Sequence, residues 1–190
     1  MAFPVVCVLL VLFIGYIRYM PQGEGVQTQE SSDQTATSTF ARSEPVRLVI
    51  PKINLDTTFV PPLGLNADQT VSVPDSYEEV GWYTYGAAPG EIGSAVILGH
   101  VDSVTGPAVF YSLGQLEVGD EIAVTRADGT TATFAVTELK RYPQETFPTE
   151  RVYGKTDDAQ IRLVTCTGIY NRGENRYTHN LVVYGKLVAE

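Results

Sequence analysis

The stretch Glu121-Ile122-Ala123-Val124-Thr125-Arg126, Ala127-Asp128-Gly129-Thr130, Thr131-Ala132-Thr133-Phe134-Ala135-Val136-Thr137 reads as two short strands around a tight turn. Asp-Gly supplies the residues that tolerate the backbone angles a hairpin turn demands, so a β-hairpin is expected here. Outward from it the same grammar repeats. Val46–Ile50 alternates and is stopped by Pro51; Thr57–Val60 precedes Pro61-Pro62; Thr70–Val73 alternates up to Pro74-Asp75; Trp82–Tyr85 ends at Gly86. Ser94-Ala95-Val96-Ile97-Leu98 is a continuous apolar run between Gly93 and Gly99, the mark of a strand buried on both faces. Ile161–Thr165 and Leu181–Leu187 complete the set. About eight or nine short strands with Gly and Pro punctuation predict an all-β barrel or sandwich. Helical pattern is confined to Ala108–Leu113 and Gln144–Val152.

The chain has 190 residues, 44% hydrophobic and 18% charged, an ordinary globular composition. Its net charge of −9 and the lack of a basic patch argue against a nucleic-acid partner. Residues 1–20 carry one charge, Arg18, after the uncharged run Ala2–Ile17, and are expected to form a transmembrane anchor. A cleaved signal peptide fits less well, because a basic leading region and an Ala-x-Ala site are not seen. Arg18 on the C-terminal side of the run opposes placing the domain outside the cell. Residues 21–44 are rich in Gln, Ser, Thr and Glu and are expected to form a disordered stalk, with Phe40 able to touch the domain. The folded domain is then expected over 45–190, long enough for a core without disulfides.

Cysteine is scarce. Cys7 lies in the apolar run, and Cys166 is the single thiol of the domain. A lone thiol outside the cytoplasm suggests chemical use. Cysteine acyl transfer needs a thiolate, a proton donor for the leaving group, and donors for the oxyanion. The domain offers two histidines. His100 follows the buried run Ser94–Leu98 through Gly99, and Cys166 likewise ends the apolar strand Ile161–Thr165. Two reactive groups at the ends of core strands is the arrangement expected of a site held on a rigid scaffold. His179 reads as an exposed strand-start residue, and Asp102 as a weaker candidate to orient His100. Asp75, Glu78, Glu79 and Glu91 lack calcium-loop spacing and read as solvated surface, so no metal and no cofactor is expected.

Leu163-Val164-Thr165-Cys166 resembles the Leu-x-Thr-Cys signature of the sortases, the cysteine transpeptidases of bacterial cell surfaces. Ile97-Leu98-Gly99-His100 resembles their Gly-His motif. His100-Val101-Asp102-Ser103, Gly106–Leu113, Phe147-Pro148-Thr149, Val152-Tyr153-Gly154 and Asn180–Tyr184 resemble the class F branch, in order along the domain. The resemblance implies a closed eight-stranded sortase-type β-barrel with one or two short helices, anchored by an N-terminal membrane helix with the domain extracellular. It implies Cys166 as nucleophile and His100 as the acid and base. The substrate implied is a Leu-Pro-x-Thr-Gly-like sorting signal of a surface protein, cleaved through a thioacyl intermediate. The implied acceptor is an amine of a cell-wall precursor or pilin. The family's oxyanion arginine is missing from its common place, where Asn180 or His179 stands, leaving Arg176 or Arg172 as candidates. Ordinary thiol and imidazole pKa values put the thiolate–imidazolium pair at roughly a percent of molecules near neutrality. Two other readings stand beside this one. An L,D-transpeptidase also orders His before Cys, but the setting Val164-Thr165-Cys166-Thr167-Gly168 does not fit its motif. A non-catalytic binding barrel leaves His100 and Cys166 without a use.

Overall fold

The computed structural model describes residues 40–188. The expected anchor at 1–20, and the expected stalk as far as residue 39, lie outside the described residues. No helix among the described residues is long and apolar enough to cross a membrane.

The strands are β1 (Pro45–Ile50), β2 (Leu55–Thr58), β3 (Gly81–Trp82), β4 (Gly93–Leu98), β5 (Asp102–Ser103), β6 (Gly106–Pro107), β7 (Glu121–Arg126), β8 (Thr131–Pro143), β9 (Ala159–Asn171) and β10 (Arg176–Leu187). β5 and β6 form a separate ribbon; the other eight form one sheet in the order β2-β1-β7-β8-β10-β9-β4-β3. The predicted hairpin is β7–β8, with Thr125 opposite Thr131. Gly129 in its turn has φ +84, a conformation that glycine adopts without steric cost. Neighbouring strands are antiparallel except β4 and β9, which run parallel with Leu98 beside Val164.

The closed barrel expected from the sequence is not present as a continuous ladder. The sheet ends on β2 and β3. Between these strands the chain makes single bridges, Phe59 with Val80 and Leu63 with Tyr83, and the Val60 amide donates to the Val80 carbonyl at 2.9 Å. The physical reason is local. The chain leaving β2 reaches Pro61-Pro62, which lack amide donors, and β3 is two residues long.

Two apolar layers cover the sheet. One face packs Leu48, Ile50, Ile122, Val124, Phe134, Ile161, Leu163 and Val183 around Phe110 and Leu113. The opposite face of β4, β9 and β10 contributes Val96, Leu98, Val164, Val182 and Tyr184, under Leu63 and Val152. β7 and β8 bury one face, hence their alternation; β4, β9 and β10 bury both, hence the lack of alternation in their central runs, where β9 also buries Arg162 and Thr165. The outer layer is capped by the short helix α1 (Thr149–Tyr153), through Val152.

Several boundaries differ from the sequence reading. Thr70–Val73 forms no strand of the sheet: Asp68 accepts from the Thr70 amide at 3.0 Å and from its hydroxyl at 2.6 Å, a tight turn that folds the segment back on its own neighbours, with Val71 bridged to Leu65 and the Ser72 amide donating to the Gly64 carbonyl at 3.0 Å. Of the one turn or short helix expected over Ala108–Leu113, the structure forms a turn, followed by a single 3-10 turn at Leu113–Gln115. Phe40–Glu44, read from composition as the end of the stalk, are seated on the domain. The Phe40 ring lies 4.8 Å from the buried Arg126 guanidinium, and Arg42 donates to the Thr84 carbonyl at 2.7 Å and to Glu91 at 3.0 Å.

Candidate active site

The parallel ladder of β4 and β9 pairs Ile97 with Leu163 and Leu98 with Val164. The Gly99 amide then donates to the Val164 carbonyl at 3.2 Å, which carries the ladder past the end of β4. One step further, His100 comes level with Cys166. On the other side of β9, Asn180 of β10 is directly opposite Cys166. Side chains alternate along a strand, and Leu98, Val164 and Val182 all belong to the outer layer. Two residues on from Leu98 and Val164, and two back from Val182, the register therefore sets His100, Cys166 and Asn180 in one row on that same face.

The row is held from beneath by close packing. A Cβ added at Gly99 would meet the Phe110 ring at 2.6 Å and Val109 at 2.9 Å, so only glycine lets the following loop seat against the strand end. His100 Nε2 lies 2.8 Å from the Pro74 carbonyl, and the Tyr77 ring packs against the imidazole, tilted by 40°, with centroids 4.6 Å apart. A carbonyl oxygen accepts only, so Nε2 carries the hydrogen in this arrangement. Nδ1 is then the nitrogen left to exchange a proton.

Cys166 is half-buried. Burial pushes its thiol above the ordinary range, and the negative charge of Asp102 adds to the shift. Asp102 does not reach His100 by a hydrogen bond; its partner is Tyr177, whose hydroxyl donates to Asp102 Oδ2. That bond, with the carboxylate charge behind it, raises Tyr177 to about 12. Tyr170 packs against Tyr177 at 5.2 Å. The β5 ribbon and the start of β10 are thus tied together beside the thiol.

The structure does not bring either candidate arginine to Cys166. Arg176 is opposite Asn171, five residues along β9 from the thiol. At about 3.3 Å per residue that is roughly 17 Å of strand, beyond one side chain's reach. Its Nε donates to Glu174 at 2.7 Å. Arg172 is exposed in the turn that follows β9. Between these arginines and the site lies a bulge: Gly168 and Ile169 together face Thr178, as the register shifts between Tyr177 and His179. Gly168 has φ +88, and a Cβ there would meet Thr178 Oγ1 at 2.6 Å. His179 pairs with Thr167 and points to the face opposite Asn180; its Nδ1 lies 2.8 Å from Thr178 Oγ1. It helps to line a cleft of about 290 Å³ with Pro143, Gln144 and Arg176. Among the described residues no group of three or more His, Cys, Asp or Glu is placed to hold a metal ion.

Sequence reasoning missed Tyr77, Tyr177 and the Pro74 carbonyl as parts of the site. Pro74 and Tyr77 reach it across a long loop closure, and no local periodicity reports such contacts. The one available signal for Tyr177 was its place on the strand that follows the thiol.

A predominantly β domain that sets a half-buried thiol level with an imidazole, across a parallel strand pair, defines a cysteine–histidine site on a sheet. The sortase-domain family profile matches residues 48–188, and the chain belongs to the sortase family. Sortase C-1 from Actinomyces oris is similar in structure, with TM-score 0.58, 25% identity, and coverage of 77% of this chain and 76% of that one. Sortase A from Corynebacterium diphtheriae has TM-score 0.56 and 22% identity, over 79% of this chain and 63% of that chain. A Clostridium perfringens sortase D5 transpeptidase has TM-score 0.56 and 21% identity, over 77% and 79%. A search of the curated proteins returns no match. Family and structural neighbours together support a sortase transpeptidase.

Proposed function

We propose that the chain is a class F-like sortase that cleaves a Leu-Pro-x-Thr-Gly-like sorting signal and passes the acyl group to an amine of a cell-wall precursor or pilin. The observation that carries this reading is the parallel β4–β9 ladder, which brings His100 level with Cys166. The class F assignment rests on the ordered motifs from His100 to Tyr184. The expected anchor in residues 1–20 is proposed to hold the domain at the outer face of the cell membrane.

The chemistry follows from the row. The Cys166 thiol proton passes to His100, and the thiolate attacks the threonyl carbonyl carbon. A C–S bond forms, the C–N bond breaks, and the leaving amine takes its proton from His100. The incoming amine then attacks the thioacyl carbon. A new C–N bond forms, the C–S bond breaks, and the amine's proton returns to His100. Because the Cys166 thiol is pushed up, the reactive thiolate grows as pH rises, so thiol reactivity is expected to climb well into the alkaline range.

The test is a sorting-peptide cleavage assay with candidate amines added, followed by intact-mass detection of the thioacyl enzyme. A peptide library that yields no cleavage and no adduct on Cys166 sinks the reading. Neither a peptidoglycan-stem substrate nor a purely binding role is favoured by any particular contact.

A further inference from the structure

The transferring carbonyl oxygen needs a hydrogen-bond donor, and the row that holds Cys166 contains one. Asn180 is its direct cross-strand partner on β10. Directly opposite residues in an antiparallel pair have Cβ atoms about 4.5–5.5 Å apart on the same face. An acyl group on the Cys166 sulfur therefore presents its oxygen within the short reach of the Asn180 carboxamide. Asn180 is half-buried and opens a run, Leu181–Tyr184, that is buried throughout, so its backbone is fixed by both apolar layers. Its other neighbour in the row is Tyr142 of β8, whose hydroxyl is engaged with that of Tyr184 at 3.0 Å.

Arg172 is exposed in the turn beyond β9, and two other nearby cations are engaged elsewhere. Arg176 is held by Glu174. Arg162 shares the face of Cys166, but its guanidinium lies 4.5 Å from the Tyr184 ring and donates to the Ile161 carbonyl at 3.0 Å. We propose that Asn180 is a catalytic residue: its side-chain amide donates to the carbonyl oxygen as the tetrahedral intermediate forms on Cys166, in the place where an arginine was expected to act. This rests on the acyl-transfer reading of the site, and on no particular sorting signal. A neutral donor helps the oxyanion without helping the thiolate, in keeping with a thiol that burial and Asp102 push upward.

The experiment compares two reactions of the full chain. Acylation of Cys166 by p-nitrophenyl acetate passes through an oxyanion; alkylation by iodoacetamide does not. Asn180→Ala and the isosteric Asn180→Leu are expected to slow the acylation burst by about 10²–10³-fold, the loss typical of one oxyanion donor, with alkylation within about twofold of the native rate. Arg172→Ala and Arg176→Ala are expected to leave both rates near native. Burst acylation at the native rate in either Asn180 variant overturns the proposal. So does a parallel fall of acylation and alkylation in both, which marks a structural role. Loss of acylation in Arg172→Ala or Arg176→Ala with native rates in Asn180→Leu returns the role to an arginine. An activated ester needs no sorting motif. A native burst without peptide cleavage therefore counts against the proposed substrate and leaves the Asn180 assignment standing.

Discussion

The β7–β8 hairpin and the β4–β9–β10 trio belong to one sheet and are built differently. In the hairpin Ile122, Val124, Phe134 and Val136 are buried, while the residues between them are partly or fully open. In the trio, both parities are buried from Gly93 to Leu98 and from Ile161 to Thr165. The hairpin is a wall with an inside and an outside. The trio is a floor with a roof, and its outer layer stops at the level of Leu98, Val164 and Val182. Reactive side chains emerge where that roof ends. A strand covered on both faces loses freedom along its whole length, so the residue at its open end is positioned by everything behind it.

Breaking this contrast gives a graded set of outcomes. Cys166→Ala removes the one reactive atom and none of the packing; it should abolish adduct formation with sorting peptides by mass spectrometry while leaving the melting transition unchanged. His100→Ala should lower turnover by roughly 10²–10⁴-fold, measured as kcat/KM on the same peptide. Leu163→Ala, three residues back from the thiol in the doubly covered strand, should cost about 2–5 kcal/mol in urea unfolding. Thr133→Ala on the open face of the hairpin should stay within about 0.5 kcal/mol. If these two variants cost the same, the distinction between wall and floor fails. Asp102→Asn removes a negative charge that disfavours the thiolate. The Cys166 thiol should then ionise at lower pH, and iodoacetamide alkylation near neutrality should run a few-fold faster, with its pH midpoint moved toward acid. An unchanged midpoint would separate Asp102 from the thiol. Arg176→Ala should have the smallest effect on acylation, because Glu174 already holds that side chain at the rim.

Much of the fold was legible because burial leaves a period. Glu121–Arg126 was read with the bounds the structure shows, since its turn and alternation are both local. Strands β8 to β10 run further than their apolar cores suggested. Glu138–Pro143 and Cys166–Asn171 continue as ladders after the hydrophobic signal has ended, held by main-chain pairing with β10 and by pairs such as Tyr142 with Tyr184 and Tyr170 with Tyr177. The closed barrel implied by the family resemblance is not present as a ladder, because two consecutive prolines and a two-residue strand prevent one; the strand pattern itself had left barrel and sandwich open. For the candidate site, Cys166 and His100 were singled out by their places at the ends of apolar strands. Arg176 was favoured for sharing strand parity with Asn180, and Arg172 for its closeness to Cys166 in sequence; β10 does extend back to Arg176, but it sets that residue opposite Asn171, five residues along β9 from the thiol, past Gly168, where β9 carries one extra residue. A bulge of that kind is visible in sequence only as a lone glycine.

The amino-terminal strap bears on how the protein should be shortened for any of these measurements. Ala41 accepts a hydrogen bond from the buried Arg126, Phe40 covers that guanidinium, and the Phe40 ring packs close to Gly90. A cut placed at Pro45 would strip the lid from a cation and open an apolar seam, at a cost of about 2 kcal/mol. A cut ahead of Phe40 keeps the seam shut, and the two truncations should part company in a simple denaturant titration.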